Sequence, residues 1–358
     1  MTGLIRQSDY ENYDYRQFWK DGKRLYEDGA ERIAIKKFFR GISQENKVFA
    51  DLGCGFGRLF EEYSGYGWII MIDYSLNNLK TARKIILDFL KKEENSHLYC
   101  KVLFIAADIN NLPLKPGILD ACMTVRVVHH LSEPAIFFNE VSRVLKPESL
   151  FFLEFANKRN LKNILKFLAG KAAGSPFGRE PLQVGDTILD YHPVYIKSLL
   201  KDLKFKVLKQ LSVSNFRLGY LKKHVGLKTL LFFENLYQNL FSFADLGPSI
   251  FLKTEFVRQT GHESDKGNFS GSETGEISSE SSSFRNISRG DLSLKDMLQC
   301  PGCSGDIFFS GGSLYDALAL SGQTKMDDKK LKNAEILCSR CARKYPVKDG
   351  VMIFRELN

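Results

Sequence analysis

The sequence predicts an α/β domain with a mostly parallel sheet and helices on both faces, followed by a small C-terminal module held by four cysteines. Three observations predict it. Short β-branched and aromatic runs alternate with helical patterns between residues 48 and 155. A Ser/Gly/Glu-rich stretch then interrupts the chain at 258–293. Beyond it lie two CxxC pairs, Cys300/Cys303 and Cys338/Cys341.

The elements follow in order. Residues 48–50, 68–72, 102–106, 121–125 and 150–155 read as buried strands, with helices at 58–64, 77–92 and 134–145 between them. Ser132 and Pro134 give the last of these a capped start with proline in its first turn. Such alternation calls for crossover connections and a parallel sheet covered on both sides. After Phe155 the pattern predicts a helix at 195–203 and strands at 205–213 and 250–257. Leu230, Phe233, Tyr237 and Leu240 recur at three- and four-residue steps, which predicts an amphipathic helix packed on the sheet through those side chains. A lid over an apolar substrate, or a face that meets membrane, is the second reading of that stripe.

Composition narrows the function classes. Hydrophobic residues make up 44% of the 358, enough for a real core, which excludes a chain disordered throughout or a collagen-like fibre. No apolar run approaches the ~18 residues of a membrane-spanning helix. The polar N-terminal segment lacks the apolar core of a secretory signal, so a reducing, cytoplasmic setting is expected. A net charge of +9 permits contact with nucleic acid, anionic lipid or an acidic substrate without requiring it.

The most informative stretch is DLGCGFG, residues 51–57. A strand ends at Asp51, and Gly53, Gly55 and Gly57 let the chain turn tightly and let a ligand approach the backbone. The third glycine comes one position too early for the dinucleotide fingerprint, which disfavours a nicotinamide-dependent dehydrogenase. Asp73 ends the next strand, placed to accept from both hydroxyls of a ribose. Asp108 follows the third strand, placed to accept from an exocyclic adenine amine. Two acids without a phosphate-binding lysine suit a nucleoside that lacks phosphates and carries positive charge.

Residues 48–157 resemble a class I S-adenosylmethionine-dependent methyltransferase of the type 11 group. The resemblance rests on DLGCGFG, IDYS (72–75), AADINNLPL (106–114), VVHHLSEP (127–134) and EVSRVLKPESLFFLEF (140–155). It implies a Rossmann-like seven-stranded sheet and assigns roles by position. Gly53 and Gly55, with Cys54 and Gly57 completing the loop, would border the methionine part of the cofactor, and Asp51 its ammonium. Asp73 would hold the ribose, Tyr74 would flank the adenine, and Asp108 with Ile109 would read and cover it. Val125 and Arg126 would line the methyl-donor side. Arg126 departs from the small or apolar residue usual there, and is expected to point away or to bind an anionic acceptor. Methyl transfer from a sulfonium needs alignment above all, and a base only for a protonated acceptor. His130 is the candidate base and His129 the weaker one. Tyr191 and His192 could touch acceptor or form a turn before Pro193. Tyr15, Trp19 and Tyr26 are read as packing.

Two CxxC knuckles in a reducing compartment predict a tetrahedral four-thiolate site at Cys300, Cys303, Cys338 and Cys341, with zinc as the metal. The segment 336–354 resembles the zinc-ribbon family of small activator subunits that partner tRNA and translation-factor methyltransferases, with Ala342 where glycine is common. A helix is expected at 327–333. The predicted organisation is therefore a helical cap (1–45), a methyltransferase domain (46–257, with cofactor core 46–157 and acceptor or lid region 158–257), a flexible linker (258–293) and a zinc ribbon (294–358). The expected activity is methyl transfer to a small-molecule or lipid-like acceptor. Methylation of RNA or the translation machinery is the second reading, and a non-catalytic cofactor-binding scaffold the third.

Overall fold

The computed structural model describes residues 17, 19, 24–98, 100–185, 187–257, 292–309 and 334–356. From the N-terminal side, α1 (Leu25–Phe39) leads into β1 (Val48–Leu52) and β2 (Trp68–Asp73), and α2 (Leu76–Leu90) connects to β3 (Lys101–Ala106). Next come β4 (Leu119–Thr124), α3 (Pro134–Val144) and β5 (Leu145–Ala156). The chain continues through α4 (Leu161–Leu168), the hairpin β6 (Leu182–Val184) and β7 (Ile188–Asp190), and α5 (Pro193–Asp202). Then follow β8 (Phe205–Val213), α6 (Gly219–His224), α7 (Leu227–Leu240) and β9 (Ser249–Phe256). The C-terminal part adds α8 (Leu294–Met297), β10 (Ile307–Phe309), β11 (Glu335–Cys338), β12 (Lys344–Lys348) and β13 (Val351–Ile353).

The predicted seven-stranded sheet is present in the order β3-β2-β1-β4-β5-β9-β8. Its first five strands are parallel, and β9 runs antiparallel between β5 and β8. The strands β1 to β4 are almost wholly buried because helices cover both faces, which is why their sequences read as continuous apolar runs. Ser75 caps α2 by accepting the Asn78 N–H at 3.2 Å, and Pro134 sits in the first turn of α3.

Two expectations change. In place of a helix over 58–64 there is one short 3-10 turn, Phe60–Tyr63, because the glycine loop and Gly65–Gly67 leave too few residues for more. The predicted face of α7 holds at Leu230 and in part at Tyr237, but fails at Phe233 and Leu240. Its buried residues are Leu230, Glu234 and Gln238, while Phe233 and Leu240 face outward. Buried hydrogen bonds select that face: Glu234 accepts from the Tyr26 hydroxyl at 2.6 Å and the Ser214 N–H at 2.9 Å, and Gln238 donates to the Ala30 carbonyl at 3.0 Å. The predicted helix at 327–333 and nearly all of the predicted linker lie outside the described residues.

The C-terminal strands extend the same sheet. β10 to β13 form an antiparallel meander, and β13 then pairs parallel to β3 through Met352–Ile105 and Ile353–Ala106. The Phe354 N–H donates to the Ala106 carbonyl at 2.8 Å, and Lys80 pairs with Asp349 at 2.7 Å. Val351, Met352 and Ile353 are buried. An open β3 edge would otherwise present unpaired backbone groups. Replacing Ile353 by Ala should lower the unfolding free energy by about 2–5 kcal/mol. Trp68 lies on β2, so the loss should register as a lower urea midpoint of tryptophan fluorescence; an unmoved midpoint would show that β13 contributes nothing to the sheet.

Candidate functional site

A cleft opens at the carboxyl ends of β1, β2, β3 and β4, the edge where open α/β sheets hold their ligands. The turn after β1 makes it. The N–H groups of Gly53 and Cys54 both donate to the Ile72 carbonyl, at 2.8 and 3.0 Å. Gly53 has φ +79°, and a Cβ there would meet Val127 Cγ2 at 2.3 Å, so only glycine fits. The Gly55 N–H donates to Asp73 Oδ2 at 2.8 Å, and the Ser75 N–H donates to Asp73 Oδ1 at 2.9 Å. Both bonds orient the Asp73 carboxylate at the cleft wall.

Of the residues predicted to bind cofactor, Asp51, Gly53, Cys54, Gly55, Asp73, Tyr74, Asp108, Ile109, Val125 and Arg126 border this cleft, as does His130. Gly57 does not. It has φ +75°, and a Cβ there would crowd Ile86 and Ala82 of α2 at 3.1 and 3.3 Å, so it serves helix packing.

The Asp51 carboxyl is fully buried and accepts a 2.5 Å hydrogen bond from the Tyr63 hydroxyl. Burial, with the Asp73 charge adding to it, pushes its pKa up to about 7 against the Tyr63 hydrogen bond and Arg58. Burial likewise pushes the Cys54 thiol far up, so it is an inert wall. Asp108 is exposed and accepts the Asn110 N–H at 2.9 Å, with Ile109 beside it. Tyr74 is exposed, and the Arg355 guanidinium from the C-terminal module lies 4.5 Å from its ring centroid.

Arg126 borders the cleft but its charge is already matched. It holds φ +63°, its N–H donates to Glu154 Oε2 at 2.8 Å, and its guanidinium is ion-paired with Glu31 of α1. Arg58 bonds the other Glu31 oxygen at 2.5 Å and stacks over Trp19 at 3.9 Å. The expectation that Arg126 points away or awaits an anion is therefore corrected: Glu31 is its partner. Glu154 is buried, which raises its pKa, with Arg126 opposing.

His130 Nδ1 lies 3.1 Å from the Thr187 carbonyl, and burial holds its pKa below the ordinary value. His129 is more deeply buried, is not part of the lining, and is likewise lowered by burial, then by His130 and Arg126. Tyr191 and His192 turn out structural. The Tyr191 hydroxyl donates to the Leu131 carbonyl, and the His192 ring accepts the Val194 N–H at 3.2 Å as the cap of α5. Tyr26 is buried packing, as expected, and Tyr15 lies outside the described residues. Sequence reasoning missed Arg58, Phe56 and Asn78, which also line the cleft. Arg58 directly follows the glycine loop, the one signal that could have drawn attention to it.

A family model described as "Methyltransferase domain" matches residues 50–153, the segment that supplies the floor of this cleft.

A chloroplastic Arabidopsis thaliana protein named as an uncharacterised methyltransferase is 32% identical over 117 residues, covering 32% of each chain. A second such Arabidopsis protein is 27% identical over 142 residues, covering 36% of this chain and 39% of its own. The chain thus spans about a third of the length of the curated relatives it matches. Among solved structures, magnesium protoporphyrin IX methyltransferase from Synechocystis, with bound SAH, is 16% identical with a TM-score of 0.47, covering 69% of this chain and 96% of that one. A chain from the complex between the Haloferax volcanii Trm112 methyltransferase activator and a methyltransferase is 15% identical with a TM-score of 0.46, covering 69% and 98%.

In the C-terminal module, whose strand β13 pairs with β3, Cys300, Cys303, Cys338 and Cys341 bring their sulfurs within 4.8 Å of one another. The Cys300–Cys341 and Cys303–Cys338 sulfur separations are 3.7 and 3.4 Å, far beyond a disulfide bond of about 2.05 Å. The N–H groups of Arg340 and Cys341 point to the Cys338 sulfur at 3.4 and 3.5 Å. Among the described residues, no helix is long and apolar enough to cross a membrane.

Asp51 sets a pH dependence of the ligand-free chain. The folded chain keeps the Asp51 proton up to about pH 7, whereas the unfolded chain releases it near the usual 3.8. Stability from this group is therefore full below about pH 4 and is lost as pH rises toward 7, by on the order of 4 kcal/mol. Urea unfolding of wild type and Asp51→Asn across pH 4–8 should show the wild type losing ground between those limits. Parallel curves would remove the assignment.

Proposed function

We propose that the chain is an S-adenosylmethionine-dependent methyltransferase acting on a small-molecule or lipid-like acceptor. The observation that carries this reading is the convergence of Asp51, the Gly53–Gly55 backbone, Asp73 and Asp108 along one cleft inside the matched segment. The cleft suits a sulfonium nucleoside. Buried Asp51 is held near neutrality in the free chain and gains a cationic partner in the ligand's ammonium. Asp73 holds the ribose hydroxyls, and Asp108 with Ile109 recognises and covers the adenine, flanked by Tyr74. The backbone at Val125 and Arg126 borders the methyl-donor side. When bound, the sulfonium supplies an activated methyl group, so the protein's task is alignment and exclusion of water.

His130 is the candidate base for a protonated acceptor. With Nδ1–H donated to the Thr187 carbonyl, Nε2 is the basic nitrogen, and burial keeps the ring neutral. Apolar inserts after β5 favour an acceptor with an apolar body. Calorimetric titration with S-adenosylmethionine, S-adenosylhomocysteine and NAD should give saturable heat with the first two alone, and Asp73→Ala should weaken both by at least about tenfold, the loss of charge-assisted hydrogen bonds. Saturation by NAD, or indifference to Asp73→Ala, would sink the reading.

The C-terminal module fits zinc held by Cys300, Cys303, Cys338 and Cys341. Tetrahedral zinc with sulfur at about 2.3 Å places sulfurs about 3.8 Å apart, close to the separations found. The module then acts in cis as a scaffold. β13 supports β3, whose tip leads to Asp108, and Arg355 backs Tyr74. Elemental analysis of purified protein should find one zinc per chain, absent from Cys300→Ser/Cys338→Ser. That variant should also melt at lower temperature, whereas an unchanged melting temperature would argue that the metal supports nothing.

A further inference from the structure

The insert after β5 leaves an apolar, cationic face uncovered beside the cleft. α4, LKNILKFL, buries none of its residues. Leu161, Leu165 and Leu168 are 51, 57 and 74% exposed, and with Ile164 they fall on one helical stripe. So short a helix is marginal without a partner for its apolar side, and here none of the described residues buries it.

Charge identifies the partner. Residues 158–179 contain six Lys or Arg and no Asp or Glu. Lys158 is buried, its amine bonded to the Gly178 and Glu180 carbonyls, and fastens the two ends of the segment together. Lys162, Lys166, Lys171 and Arg179 are exposed. A leucine stripe rimmed by exposed cations suits a surface apolar below and anionic above, as a bilayer with acidic headgroups is. The same face continues toward other exposed apolar groups. Phe177 packs edge-on to Phe167 at 5.8 Å. The Leu161 N–H donates to the Leu246 carbonyl at 2.9 Å, three residues beyond Phe243, which is 79% exposed. The insert also returns to the cleft, where the Thr187 carbonyl meets His130.

We propose that α4 and the segment 158–179 dock the protein on membranes containing anionic lipid, with the cleft beside the bilayer surface so that a lipid-like acceptor reaches it from there. The entry of acceptor rests on the methyltransferase reading; the docking does not.

Cosedimentation of the full chain with phosphatidylcholine vesicles, and with vesicles also containing phosphatidylglycerol, tests it. Binding to the second set should exceed binding to the first by more than about tenfold and should weaken with added salt. Lys162→Glu/Lys166→Glu should reduce it by more than about tenfold, and Leu165→Asp/Leu168→Asp should abolish it. These side chains lie on the surface, so both variants should keep the wild-type melting temperature and S-adenosylhomocysteine titration. Failure to bind acidic vesicles, equal binding by the leucine variant, or a preference of this face for RNA or a second copy of the chain would overturn the docking. Vesicle binding without any S-adenosylhomocysteine heat would leave the docking standing and remove the acceptor route.

Discussion

The carboxylate of Asp73 is the hinge of the site. It receives one N–H from the glycine loop after β1 and another from the start of α2, so two crossover connections are tied to one strand tip. That tie works because Gly53 turns with positive φ against Val127, where any Cβ would collide. A ligand that engages Asp73 therefore engages a group already held in place, and little ordering cost remains to be met on binding.

A second set of charges joins the cap helix to the strand ends. Glu31 of α1 lies between Arg58 from the loop and Arg126 from the end of β4, and Glu154 of β5 takes the Arg126 N–H. Buried charges are tolerated only when paired, and here each pairing crosses from one element to another. Arg126 keeps a strained backbone conformation beside the cleft because these partners over-determine it. Its cation, which looks out of place beside a sulfonium in the linear sequence, is matched by Glu31.

The C-terminal module shows how a small four-cysteine unit can become part of a larger one. Its last strand adds to the open edge of β3 and its apolar residues enter the shared core. An exposed strand edge and a ribbon with little core of its own each lack what the other supplies. The arrangement also brings Arg355 over Tyr74 at the cleft rim, so the module reaches the site without contributing to its floor.

Local signals were enough for the strands of the parallel sheet, α2, α3, α5, the glycine turn, the two acids at strand tips and the four-cysteine cluster. Each depends on residues close in sequence: continuous apolar runs, a proline in a first turn, glycines on a turn, paired CxxC knuckles. Misreadings arose where the answer lay in a distant partner. The stripe Leu230–Phe233–Tyr237–Leu240 has helical spacing, yet α7 turns Glu234 and Gln238 inward because Tyr26, Ser214 and Ala30 offer them buried hydrogen bonds. Gly57 belongs to the loop motif, yet its role is set by Ile86 and Ala82 of α2. The pairing of Arg126 with Glu31, 95 residues away, and the addition of β13 to β3 have no local signature either. Short-range pattern dictates which elements form; which face each buries, and which charges meet, follows from contacts that exist after the chain has folded.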